Sequence, residues 1–83
     1  MRTFVYSELT KTYGPEAELI ISTLNKKLTT MEEHTTDSFQ ILLQTTVYPF
    51  LFTVDILKSA GKSEREATQF VRTAWNRFMS SPH

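Results

Sequence analysis

Apolar residues dominate the stretch from Phe39 to Ala60, and the rest of the chain has the spacing of helices that cover it. On a helical wheel this stretch has no clean polar side. One apolar stripe consists of Leu43, Val47, Phe50, Val54 and Leu57, and a second, nearly opposite, consists of Ile41, Tyr48 and Phe52. Because a helix that is apolar on all sides is buried on all sides, we expect this segment to be the enclosed central helix of the fold.

Pro49 interrupts the central helix. It has no amide hydrogen, and its ring presses on the carbonyl of Thr45, so the helix is expected to kink there or to restart with Pro49 in its first turn. The helix is expected to end at Ala60-Gly61, since glycine readily adopts the positive φ found just beyond a last turn.

The central stretch is 22 residues long, which is close to the length of a membrane span. Gln44, Pro49 and Asp55 all lie inside it, and an aspartate at the middle of a membrane helix costs about 2.5 to 3.5 kcal/mol. We therefore interpret the stretch as the core helix of a soluble domain and expect no membrane partner.

Three further helices are predicted over residues 3–13, 15–33 and 63–79, with the central helix over 38–60. The inner face of the second helix contains Ala17, Ile20, Ile21, Leu24, Leu28 and Met31, and Leu19 lies outside it. Asp37 and Gln40 form a capping pair before the central helix, and Ser63 and Glu66 form a capping box before the last. The predicted fold class is all-α, a small bundle of about four helices in one domain spanning 1–83.

Size and charge limit the functional classes. A chain of 83 residues buries only about 60–65% of its unfolded surface, and the absence of cysteine excludes disulfide bonds and thiol chemistry. Nine Lys/Arg balance nine Asp/Glu, which gives no general attraction to nucleic acid or acidic membranes. The N-terminal sequence MRTFVYSEL has no apolar run typical of a secretory signal, so a cytoplasmic location is expected.

Trp75 lies on the flank of the last predicted helix, and Met79 follows one turn later on the same side. Tryptophan at such a position either anchors an interface or closes the core of the monomer. The central helix also has more apolar surface than three short helices can cover. A homodimer would cover both surfaces, because two-fold pairing is the commonest oligomer.

The opposite face of the last helix is polar and consists of Arg65, Gln69, Arg72 and Asn76. These residue types contact phosphates and base edges, and LKSAGKSEREATQFV resembles the first half of a helix-turn-helix motif. The helix then continues through Trp75 without a second turn, and Glu64 and Glu66 dilute the basic surface. A protein partner on this stripe is favoured over nucleic acid.

Asp55 is the one acid within the apolar stretch, and it shares a stripe with Tyr48 and Phe52. A buried carboxylate requires a partner, and Arg72, Arg77 and Lys62 are candidates. Alternatively, Asp55 anchors a small ligand in a pocket with Tyr48 and Phe52, as in a fragment of an enzyme.

No catalytic or metal-binding set is recognisable. Glu32, Glu33, His34 and Asp37 lie close in sequence but at a helix end and a link, not on one face, which is typical of a solvated charge run. No metal or cofactor is expected. The leading hypothesis is a non-enzymatic protein that binds another protein as a regulator, inhibitor or accessory subunit and forms a homodimer. The alternatives are a nucleic-acid-binding regulator that uses Arg65, Arg72 and Arg77, and the ligand pocket at Asp55.

Overall fold

The computed structural model describes residues 2–80, and within them the chain is helical with no strand. The elements are α1 (Arg2–Tyr13), a 3-10 turn (Gly14–Glu16), α2 (Ala17–Glu33), α3 (Ser38–Thr46), α4 (Tyr48–Ser59) and α5 (Glu64–Ser80). The all-α class is confirmed. Helices α3 and α4 are the two parts of the predicted central helix. The bundle therefore corresponds to the four predicted helices, with the central one divided in two.

Two predicted capping residues initiate helices in the structure. The Phe39 amide donates to Asp37 Oδ1 (2.8 Å) at the start of α3, and the Glu66 amide donates to Ser63 Oγ (3.0 Å) at the start of α5. Each bond satisfies one of the amide groups that the first turn of a helix leaves without a partner. Gln40 does not complete its capping pair, because its side-chain oxygen accepts from the Tyr48 hydroxyl instead.

The end of α4 is a Schellman motif. Gly61 has a φ of 94°, its amide donates to the Lys58 carbonyl (3.1 Å), and the Lys62 amide donates to the Leu57 carbonyl (3.0 Å). These are the two bonds that define the motif, and the positive φ favours glycine at this position. The chain therefore turns sharply into α5, and α4 and α5 pack side by side.

Helices α3 and α4 meet at Val47 with 57° between their axes. Pro49 lies in the first turn of α4, where its missing amide hydrogen interrupts no bond within that helix. No single helix among residues 2–80 is long and apolar enough to cross a membrane, whereas α3 and α4 together meet the criteria of length and composition.

The hydrophobic core is built around α4, which contacts α1, α2 and α5. Leu9, Leu24, Leu28 and Leu57 are completely buried at its centre. On α5 the buried positions Ala67 and Ala74 are small, which lets this helix approach the core closely. Phe50 and Phe70 fill the space at either end.

The prediction that the central helix is buried on all sides was wrong within one copy of the chain. Phe39, Ile41, Leu42 and Leu51 are all exposed. For the three residues on α3 the reason is the bend at Val47, which directs α3 away from the bundle so that it packs mainly against α2 and α4. The outer side of α3 therefore has no neighbour among residues 2–80.

A buried carboxylate on α1 was not anticipated. Glu8 is 4% exposed, and both of its carboxylate oxygens lie 3.3 Å from Nη1 of Arg77 on α5. A buried charge must be paired, so this contact fixes α1 against the C-terminal half of α5.

A second polar cluster joins α1 and the 3-10 turn to the start of α5. Tyr13 donates a hydrogen bond to Glu66 (3.1 Å), and Lys62 lies 2.8 Å from Glu16 and 4.9 Å from the centre of the Tyr13 ring. Burial, together with the hydrogen bond to Glu66, raises the pKa of Tyr13 to about 12. The contact with Glu16 raises the pKa of Lys62.

We expect Leu57→Ala to lower the free energy of unfolding by about 2 to 5 kcal/mol, because it opens a cavity at the centre of the core. Leu19→Ala is the matched control. Leu19 is 75% exposed on α2, so its truncation is expected to change stability by less than about 0.5 kcal/mol. Urea denaturation followed by circular dichroism measures both values, and equal effects would contradict the assignment of α4 as the core helix.

The raised pKa of Tyr13 predicts a loss of stability at alkaline pH. The folded protein favours the neutral phenol, so this contribution is complete below about pH 10 and is lost as the pH rises from about 10 to 12. Tyr13→Phe cannot ionise, and its melting temperature is therefore expected to decline less than that of the wild type over this interval. Thermal denaturation at a series of pH values tests this, and parallel curves for the two proteins would refute it.

Candidate functional site

An apolar groove lies between α4 and α5 on the side of these helices that faces away from α1 and α2. Its volume is about 370 Å³, which is within the usual range for binding sites. The lining residues are Val47, Phe50, Leu51, Val54, Thr68, Val71, Arg72 and Trp75. Six of the eight are hydrophobic, and Arg72 is the only charged residue among them. The groove can therefore hold an apolar group with one charge at its edge.

Trp75 forms one wall of the groove. Its ring packs edge-to-face on buried Phe50, with 4.9 Å between the ring centres and 87° between the planes, and the residue is still 36% exposed. The indole thus contacts a core residue on one side and is accessible on the other. Trp75 is not part of the buried core, and its predicted role as an interface anchor remains a prediction.

Exposed apolar side chains lie at the groove and also beyond it, on α5 and on α3. Leu51 is 53% exposed beside Val47 and Val54, and Met79 is 61% exposed one turn beyond Trp75. On α3, Phe39 and Leu42 are more than half exposed and are three residues apart, so they lie on one side of the helix.

The predicted polar stripe of α5 is exposed along its length and consists of Arg65, Gln69, Arg72 and Asn76. Arg72 borders the groove, and Arg65 lies two turns earlier on nearly the same line of the helix. Neither guanidinium has an ion pair or a side-chain hydrogen bond within residues 2–80. Arg77, the third arginine of the nucleic-acid hypothesis, instead pairs with Glu8 on the other side of α5.

The predicted burial of Asp55 is contradicted, since this residue is exposed. The reason is that the buried side of α4 is formed by Pro49, Thr53 and Leu57, and Asp55 lies well away from that side. None of its proposed partners Arg72, Arg77 and Lys62 pairs with it within the described part of the chain.

Tyr48 and Phe52 lie together and contact residues of α2 and α3. Their rings stack at 5.3 Å, the Tyr48 hydroxyl donates to Gln40 Oε1 (2.9 Å), and Lys27 Nζ lies 4.6 Å from the centre of the Phe52 ring. These contacts join α2, α3 and α4. The two aromatic residues therefore hold the bent pair of helices in place.

Two acidic residues of the predicted charge run, one in α2 and one in the link after it, take part in structural contacts. Glu32 forms an ion pair with Arg2, and Asp37 caps α3. No group of three His, Asp or Glu residues within 2–80 lies close enough together to hold a metal ion.

Comparison with known proteins gives no relationship on which to base a function: no family model, curated protein or solved structure matches this chain.

Sequence reasoning named Trp75 and Arg72 of the groove lining but predicted no groove, and it did not name Leu51. Leu51 belongs to neither apolar stripe of the central helix, and this is the signal that could have identified it as a surface residue. Val54 was assigned to a buried stripe, but it is half-buried and lines the groove. Glu8 was also missed, because an acid on an isolated helix gives no sign that another helix will cover it.

Proposed function

We propose that this protein is non-enzymatic and acts by binding another protein in the groove between α4 and α5. The observation that supports the proposal is an apolar groove with a partly exposed tryptophan packed against Phe50. Tryptophan in a well-packed pocket is a frequent source of binding energy, and exposed apolar surface on a small domain is commonly a site of interaction. Regulation or inhibition of a partner, or a role as its accessory subunit, is consistent with such a surface.

We also propose that two copies of the chain associate through the outer side of α3. Phe39, Ile41 and Leu42 are exposed there, and the hydroxyls of Thr45 and Thr46 both donate to the Leu42 carbonyl, so they are already satisfied when this surface is covered. We attribute the outward direction of α3 to Pro49, which lacks the amide hydrogen that a continuous helix would direct at the Thr45 carbonyl.

The size of this surface indicates a weak dimer. Stable interfaces bury about 800 Å² on each partner, and three side chains with flanking threonines provide only part of that area. We therefore expect the dimer to form at roughly micromolar or higher concentrations.

Leu51→Lys is expected to weaken partner binding at least tenfold, because it places a charge at the mouth of the apolar groove. Leu19→Lys is the matched control, since it introduces the same charge at an exposed leucine on α2, and it should leave binding unchanged. The measurement is a quantitative pull-down from the native host with and without nuclease, after circular dichroism has shown that both variants are folded.

Equal recovery of a partner by the two variants would refute the groove as the binding site. The nuclease arm addresses the alternative, nucleic acid on Arg65 and Arg72, which is favoured by the lack of ion pairs at these two side chains. Recovery of nucleic acid in place of a protein would make that alternative the better assignment, and its affinity should then fall steeply with salt.

Leu42→Lys is expected to abolish self-association, and Leu51→Lys is expected to preserve it, because only the first substitution lies on the outer side of α3. Sedimentation velocity between roughly 1 and 200 µM covers the range in which a weak dimer dissociates. A wild-type protein that is monomeric throughout this range would rule out the dimer, and a dimer disrupted by Leu51→Lys alone would place its interface in the groove.

A further inference from the structure

We propose that the occupant of the α4–α5 groove is an amphipathic helix of a different protein, with two acidic residues seven positions apart on the flank that faces α5. This inference rests on the proposed function. It adds the chemistry of the partner, which follows from the length of the groove and from the charges on its two edges.

The dimensions of the groove fit about two turns of helix. Its walls extend from Val47 to Val54 on α4 and from Thr68 to Trp75 on α5, which are seven residues each and correspond to about 10 Å. A helix laid along such a groove contacts it through apolar residues at positions i, i+3 or i+4, and i+7. The exposed parts of Leu51 and Trp75 lie on opposite sides of this path.

Two arginines of α5 form no ion pair with any residue among 2–80: Arg72 lines the groove, and Arg65 lies just beyond its end. Arg65 and Arg72 are seven residues apart, so they lie about 10 Å apart along α5 and differ by only about 20° around it. By contrast, Arg2, Lys62 and Arg77 each form an ion pair with a glutamate. Acids spaced by seven on a partner helix parallel or antiparallel to α5 would match this spacing.

On the α4 edge, Asp55 carries a negative charge, and the nearby Lys58 is paired with Glu64 (3.9 Å). Asp55 is exposed and lies about 40° beyond Leu51 on the helical wheel, on the side away from α5. A partner helix with acids on one flank and a lysine or arginine on the other would satisfy both edges in one direction only. Reversing the helix would place like charges together, which is unfavourable and makes the direction specific.

A second copy of this chain does not have the required pattern. No two of its nine Asp and Glu residues are seven positions apart. The outer side of α3, the surface proposed for self-association, has no acid between Phe39 and Thr46. The groove is therefore assigned to a different protein and the α3 surface to self-association.

A displayed library of helical peptides tests the proposal with the full chain as the target. The library fixes apolar residues at i, i+3, i+4 and i+7 and randomises the remaining positions. We expect selected peptides to be enriched in Asp or Glu at two flank positions seven apart, and in Lys or Arg on the other flank. Selection against the double variant Arg65→Glu, Arg72→Glu should reverse the first preference, and selection against Asp55→Lys should reverse the second.

Affinities of one selected peptide provide the quantitative test. Arg65→Gln and Arg72→Gln should each weaken binding about two- to fivefold, and this loss should disappear in 1 M salt, as for exposed charge pairs. Lys11→Gln is the matched control, because this exposed lysine lies on α1, and its affinity should equal that of the wild type. The neutral glutamine variants also provide a result if the double charge reversal does not fold.

The outcomes separate this inference from the proposed function. Peptides that bind in the groove, are lost with Leu51→Lys and show no charge preference would overturn the acidic helix and leave the groove as a protein site. A library that yields no binder to the groove would overturn both. Binding of an oligonucleotide that is lost in the Arg65→Glu, Arg72→Glu variant, in the absence of any helical binder, would assign the arginines to nucleic acid.

Discussion

The packing of α4 against the other four helices is the interaction on which the rest of the structure depends. Leu57, in the last turns of α4, is completely buried, and Phe50, in its first turns, contacts Trp75 and Phe78 of α5. In an 83-residue chain without disulfide bonds, one well-covered helix is what provides a continuous core. The other helices are positioned by the side of α4 that each of them covers.

The same packing also determines which sides of α3 and α4 remain exposed to solvent. The other helices cover α4 incompletely. The side of α4 from Val47 to Val54 is bordered by α5 along one edge, and this forms the groove. The bend at Val47 directs the outer side of α3 away from the same core. The two proposed interaction surfaces are thus consequences of the small number of helices.

The helical segments and their ends were predictable because they depend on local signals. Asp37, Ser63 and Gly61 act through bonds to residues within a few positions, and these bonds form as expected. Exposure was harder to predict where it depends on distant residues. Asp55 and Leu51 are exposed because no helix among residues 2–80 covers their side of α4, and Glu8 is buried because α5 covers it from 69 residues away. Periodicity within one helix shows neither feature, and a groove between two helices cannot be inferred from it.

The turn between α4 and α5 has a consequence for the mechanism of binding. Its Schellman bonds at Gly61 and Lys62 and the Ser63 cap leave few free dihedral angles between the two helices that form the groove. The edge-to-face contact of Phe50 with Trp75 joins the same pair of helices at the groove. In the proposed complex, the groove therefore exists before the partner helix binds, and most of the loss of conformational entropy on association falls on that helix. Under this proposal, affinity is expected to depend largely on how helical the partner segment is when it is free.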